Sequence, residues 1–217
     1  MSNVNTLIDK ETKKPRFKYI VEGANLFFTQ EARLLLEKQG VIIFKDASAN
    51  KGGVTSSSLE VLAALSLTDD EFDQHMSVKE KEPQFYKDYV EEVQRVIESN
   101  ARMEFECIWE EHKKTGTPRA ILSDIISNKI VELSTSIGES DLWNNVAMRR
   151  KVLFEACPKV LITLLNGVDK VLERVPESYL RAIFARYLAS RYVYKCGIAK
   201  NPEFAFFAFL QPFIEQK

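Results

Sequence analysis

The chain has 217 residues, enough for one large domain or two small ones, and its 45% hydrophobic and 28% charged content is that of an ordinary soluble protein. Thirty basic residues against 31 acidic ones leave a net charge of −1, so no excess of positive charge points to nucleic acid or to an anionic membrane. The longest apolar run, Phe204 to Leu210, falls far short of a membrane span, and Met1 to Lys14 contains no apolar leader. The two histidines (His75, His112) and three scattered cysteines (Cys107, Cys157, Cys196) offer no metal-ligand spacing, no histidine-based triad and no CxxC pair, which fits a reduced, intracellular protein.

Residues 1–18 are polar and basic and are expected to form a solvated lead-in. Tyr19-Ile20-Val21 is a short β-rich run that stops at Gly23. Thr29 can cap a helix that carries Ala32, Leu35 and Leu36 at helical spacing and ends at Gly40. Val41-Ile42-Ile43-Phe44 follows as a continuous apolar run, the pattern of a strand covered on both faces. Strand, helix and strand in so short a span predict a βαβ unit with two parallel strands and a right-handed crossover. Two strands do not make a stable sheet alone, so this one needs neighbours that the sequence does not supply.

From Lys51 onward the pattern is helical. Leu59, Val61, Leu62, Ala63 and Leu65 follow the glycine pair, and Thr68 with Glu71 forms a capping box. After a charged break at Lys79 to Pro83, apolar residues from Tyr86 through Val93 and Ile97 to Ile108 recur every three or four positions until Gly116. Thr117-Pro118 then reads as N-cap and first residue of a helix bearing Ile121, Ile125, Ile126, Ile130 and Leu133. Further helices are expected over Leu142–Ala156, Val160–Leu165, from Pro176 to Gly197, and from Asn201-Pro202 to the end, about eight in all. A boundary is expected near residue 80, where composition shifts from glycine, serine and alanine to long charged helices.

Two stretches look chemical rather than architectural. Glu22-Gly23-Ala24-Asn25 ends the first strand, and Asp46 to Ser58, with the core Asn50-Lys51-Gly52-Gly53-Val54-Thr55, follows the second. Ligands of open parallel sheets bind just beyond the carboxyl ends of the strands. Small residues there admit a ligand to the backbone, a glycine pair before a helix leaves amide N–H groups for an anion, and asparagine offers both donors and acceptors. These residue types suit a nucleotide cleft, and they equally suit a tight strand-to-helix turn with serine caps.

VEGAN, a helix, a strand and then AN-x-GGVT-x-S resemble the coenzyme-domain end of the glutamate/leucine/phenylalanine/valine dehydrogenase family, with Lys51 where alanine is usual. The longer stretches YIVEGANLFFTQEAR and KDASANKGGVTSSSLEVLA, and VPESYL at Val175–Leu180, are similar to the large fungal NAD-specific glutamate dehydrogenases. The resemblance implies an α/β fold: a partial Rossmann-like parallel sheet, present as one βαβ unit, followed by a mainly helical carboxy-terminal region. Residues 1–80 would then be the end of an NAD-binding domain and residues 81–217 the helical region. The resemblance further implies that Asn25 and Asn50 contact the nicotinamide ribose or carboxamide of NAD, and that Gly52, Gly53 and Val54 pass close to nicotinamide and substrate. Ser57 falls where glutamate dehydrogenases use a serine to hold the substrate's side-chain carboxylate.

The eight glycines contain no GxGxxG, and the family's catalytic lysine and aspartate have no counterpart, so no catalytic residue is assigned. Lys51-Gly52-Gly53 resembles the family's catalytic lysine-glycine-glycine, but its place after the second strand argues against that role. The expectation is a carboxy-terminal piece of an enzyme that converts glutamate to 2-oxoglutarate and ammonium in amino acid catabolism. Such a piece would be inactive alone, and homo-oligomeric and cytoplasmic (or mitochondrial) in its full-length form. The alternatives are a self-standing helical interaction module derived from a dehydrogenase and an enzyme for apolar amino acids. Ser57 argues against the latter, since an aliphatic side chain wastes its donor.

Overall fold

The computed structural model describes residues 4–198 and 202–214. Strands β1 (Tyr19–Val21) and β2 (Ile42–Phe44) pair in parallel, with Tyr19 opposite Ile42 and Val21 opposite Phe44. Helix α1 (Gln30–Lys38) connects them, and the Thr29 hydroxyl accepts from the Ala32 N–H at its start. The expected βαβ unit is present. Successive strand residues point to opposite faces, and β2 uses both: Ile43 enters a small core with Val4, Phe28, Ala32, Leu36 and Val41, while Phe44 enters the large core of the helical region. β1 differs. Its Tyr19 and Val21 are 61% and 69% exposed while Ile20 packs against the small core, so β1 is covered on one face and bare on the other.

Two expectations about this segment need correction. The lead-in is not simply solvated, because Val4 is buried in the small core with Leu7 and Ile8 packed against it. A turn closed by the Asp9 carboxylate, which accepts from the Glu11 and Thr12 N–H groups, folds it back. On α1, Leu35 is exposed and Arg33 takes the buried place, because a carboxylate waits for it there.

After β2 come α2 (Asp46–Ala49), α3 (Gly52–Ser66) and α4 (Asp69–His75), the last with the expected capping box between Thr68 and Glu71. Helix α5 (Gln84–Thr115) runs for 32 residues, about 48 Å at 1.5 Å per residue, and stops at Gly116, whose φ of +69° is left-handed. The remaining helices are α6 (Arg119–Glu139), α7 (Val146–Ala156), α8 (Lys159–Leu164), α9 (Val168–Arg174), α10 (Glu177–Cys196) and α11 (Pro202–Ile214). Asn201, the expected start of the last helix, lies outside the described residues. Helices α2 and α9 have no counterpart among the expected elements: four and seven residues long, they follow Lys45 and Gly167 with no side-chain cap to signal them. The expected helix at Leu142 opens as a 3-10 turn, Asp141–Asn144, and turns α-helical only after the Asn145 cap.

Thr117 does not cap α6. Its first N–H groups, from Arg119 and Ala120, donate instead to the Glu37 carboxylate of α1, a partner 82 residues away that local sequence cannot reveal. Glu92 of α5 accepts the Lys159 and Val160 N–H groups of α8 in the same manner. Both helices follow a proline, which lacks a side-chain acceptor, so a carboxylate from elsewhere satisfies the open amides.

The large core lies where α6 packs along α10, with Ile126, Ile130, Leu180, Phe184 and Leu188 buried between them and with α7. It extends without a break to Phe44, Leu62 and Ala63, so β2 and α3 rest directly on the helical region. Among the described residues, no helix is long and apolar enough to cross a membrane.

Candidate functional site

Beyond the carboxyl ends of β1 and β2, the two chain segments singled out in the sequence come together. The Asn50 amide donates to the Asn25 Oδ1 at 2.6 Å and to the Gly23 carbonyl at 3.1 Å, closing the gap between the strand ends. Asn50 Oδ1 and Asn25 Nδ2 take no part in these bonds, which leaves one acceptor and one donor on the pair. Helix α3 begins at Gly52 immediately after this pair, and its first-turn N–H groups lack partners within the helix. A Cβ added at Gly53 would meet nothing within 4 Å, so space above the backbone is open there. Val54 stands out from the surface, exposed to 71%. Ser57 is one turn further on the same side of α3, and its hydroxyl donates back to the Gly53 and Val54 carbonyls.

Three buried charges hold the strand ends in place. Arg33 of α1 grips Glu22 with two bonds, Nε to Oε1 at 2.7 Å and Nη2 to Oε2 at 2.8 Å, and Nη2 also reaches Asp46 Oδ1 at 3.2 Å. The three residues are 3%, 5% and 6% exposed for Glu22, Arg33 and Asp46 respectively. Asp46 accepts further from the Leu26 and Ala47 N–H groups, which ties the loop after β1 to the turn after β2. Burial opposes the charge on Asp46, but the two N–H groups and the Arg33 guanidinium outweigh it and hold the carboxyl below its usual range. The Arg33 guanidinium is in turn held charged more firmly by its bonds to Glu22.

The flank of the turn is fixed from the helical region. Lys51 Nζ lies 2.6 Å from both oxygens of Glu104 on α5, and Tyr194 of α10 donates its hydroxyl to Glu104 Oε2 at 2.8 Å. Lys45 pairs with Asp124 of α6, and the Ser48 hydroxyl of α2 meets that of Ser123, also on α6. Sequence reasoning found Asn25, Asn50, Gly52, Gly53, Val54 and Ser57, which lie in one region. It missed the roles of Glu22, Arg33 and Asp46, and it missed Glu104 and Tyr194 altogether. The EGAN wording was a signal for Glu22, whereas nothing in the sequence marks a glutamate 53 residues from its lysine partner.

The sequence profile of the Glutamate/Leucine/Phenylalanine/Valine dehydrogenase family matches residues 1–116, more than half of the chain. The chain belongs to this family. It is 60% identical over all of its 217 residues to Glutamate dehydrogenase 2 of Dictyostelium discoideum, of which it covers 20%. Over 97% of its length it is 54% identical to an NAD-specific glutamate dehydrogenase of Neurospora crassa, and here too it covers 20% of the relative. An enzyme of the same name from Saccharomyces cerevisiae is 43% identical over 93% of the chain, which covers 19% of it. The chain thus spans about a fifth of the length of the curated relatives it matches. No solved structure matches it. The resemblance read from the EGAN and GGVT stretches is borne out, and its extent reaches the helical region as well.

Within the family, NAD is the coenzyme of the relatives named NAD-specific. The residues present fit part of such a molecule: one amide donor and one amide acceptor on the Asn25–Asn50 pair, an open backbone at Gly53 and the first-turn amides of α3.

Proposed function

We propose that this chain forms one wall of the NAD and substrate cleft of an NAD-specific glutamate dehydrogenase, which converts glutamate to 2-oxoglutarate and ammonium. The observation that carries the reading is the Asn25–Asn50 pair, set beyond the ends of two parallel strands and beside the open backbone of Gly53. In this reading Asn50 Oδ1 and Asn25 Nδ2 hold the nicotinamide ribose or carboxamide, and Gly52 and Gly53 allow the ring to approach. NAD, when bound, accepts the hydride, while the residues of this chain bind and orient. Val54 and Ser57 face the substrate, with the Ser57 hydroxyl turned from its helix carbonyls toward the substrate's side-chain carboxylate. A carboxylate taken out of water needs such a donor.

Residues 1–80 then complete a Rossmann-like NAD-binding domain, and residues 81–217 form the helical region that backs it. The bare edge of β1 supports this. Parallel strands are normally covered on both faces, and a two-stranded sheet is marginal alone, so Tyr19 and Val21 are suited to burial against further strands. The test is the full-length protein, purified and supplied with NAD and glutamate, leucine or phenylalanine in turn. NADH formation with glutamate and little with the apolar amino acids is expected. Turnover of leucine or phenylalanine in preference to glutamate would overturn the substrate assignment.

A further inference from the structure

Lys51 precedes the glycine pair directly, so any force on it acts on Asn50 on one side and on Gly52 on the other. It is the N-cap residue of α3, but its side chain makes no capping hydrogen bond to that helix. Its ammonium is instead fixed by Glu104, a carboxylate buried in α5, at 2.6 Å to each oxygen. Two turns earlier on α5, Ile97 meets the same turn, since a Cβ added at Gly52 would lie 3.4 Å from its Cγ2. The long helix therefore touches the turn at two points on one face, one apolar and one charged.

Glu104 is an expensive residue to bury. A carboxylate inside the protein loses its hydration, and an apolar side chain of similar volume often serves a fold as well or better. Among the described residues, its hydrogen-bond partners are Lys51 and the hydroxyl of Tyr194. Burial, and after it the Glu104 charge, pushes the Tyr194 phenol up, which keeps it a proton donor to the carboxylate. The turn before α3, α5 and α10 thus meet at one carboxylate, and the lysine it holds is the sequence neighbour of the asparagine that closes the strand ends.

We propose that Glu104, supported by Tyr194, is a positioning residue for the coenzyme site: through Lys51 it fixes the turn that sets Asn50 against Asn25. This inference rests on the proposed reading of Asn50 as a coenzyme contact. It assigns a task to the helical region, which anchors the turn from behind instead of serving only as a packing partner.

The experiment uses the full-length enzyme and compares Glu104→Gln, Lys51→Met, Lys51→Arg, Tyr194→Phe and Asn50→Ala. A small misplacement of a binding group is expected to lower kcat/KM for NAD on the order of tenfold in Glu104→Gln and in Lys51→Met. The double variant should fall no further than either single one, because both break one linkage. Lys51→Arg should keep most of the activity, and Tyr194→Phe should lose only a few-fold. If Glu104→Gln does not fold, Lys51→Met and Tyr194→Phe carry the test, since Lys51 is partly exposed and Tyr194→Phe removes one hydroxyl. A lowered melting temperature with unchanged kinetic constants would overturn the proposal, as would additive losses in the double variant. If Asn50→Ala weakens NAD while Glu104→Gln and Lys51→Met do not, the positioning role alone fails. If Asn50→Ala leaves NAD unaffected, the coenzyme reading fails and the positioning proposal with it.

Discussion

Replacing Arg33 with methionine removes the one cation among three buried charges. Glu22 would lose both of its bonds, at 2.7 and 2.8 Å, and Asp46 would lose the one at 3.2 Å. Asp46 keeps the Leu26 and Ala47 N–H groups and so is partly compensated, whereas Glu22 would be a bare buried carboxylate. Breaking such a buried pair from one side costs about 3–5 kcal/mol. With a urea dependence near 3 kcal/mol per molar, the upper end for small proteins, the unfolding midpoint should fall by roughly 1–1.7 M. Because Leu36 and Ile43 belong to the small core, the loss should begin there. Hydrogen exchange at the Ile42 and Glu22 amides, which donate to the Lys18 and Phe44 carbonyls, should accelerate before that of α6 or α10. Replacing Glu22 with methionine as well removes the stranded charge and should recover most of the loss. An Arg33→Met variant within about 0.5 kcal/mol of the parent would refute the argument, since that is the range of a substitution on an ordinary surface. A double variant as unstable as the single one would refute it too.

Ser57→Ala in the full-length enzyme should reduce kcat/KM for glutamate roughly ten- to a hundredfold, the equivalent of a charge-assisted hydrogen bond of about 1.5–3 kcal/mol. Ser56→Ala and Ser58→Ala are the controls, because a helix turns about 100° per residue, and equal losses from all three would mean that helix stability was being measured. The Asp46 carboxyl has a lowered pKa in the fold, so its contribution to stability is present above the unfolded value of about 3.9 and is lost as pH falls through the lower folded value. The stability gap between the parent and Asp46→Asn should therefore be full at pH 7 and shrink below about pH 4 in urea titrations. A gap that is the same at pH 3 and pH 7 would contradict it.

The βαβ unit was legible because its signals are local: Thr29 as a cap, Gly40 as a stop and an unbroken Val41–Phe44 run. The long α5 and α10 were legible because their period persists over many turns. The candidate site was legible through wording, in that the EGAN and ANKGGVT stretches contain Asn25 and Asn50, which the fold joins by a 2.6 Å bond. What stayed hidden depends on contacts across the chain. Arg33 carried no signal of its own because its partners, Glu22 and Asp46, are brought beside it only by folding. Thr117 looked like a cap because Glu37 cannot be seen from its neighbourhood. Lys51 looked like a substituted alanine, and its clamp by Glu104 appears only when α5 crosses the turn.

The central claim is that Asn50 closes the strand ends and contacts the coenzyme. It is tested most directly by the dissociation constant of NAD for the full-length enzyme carrying Asn50→Ala, measured by calorimetry. Leaving a polar partner unsatisfied costs about 1–3 kcal/mol, so binding should weaken roughly five- to 150-fold. An unchanged dissociation constant would mean that Asn50 only ties Gly23 and Asn25 together as part of a turn.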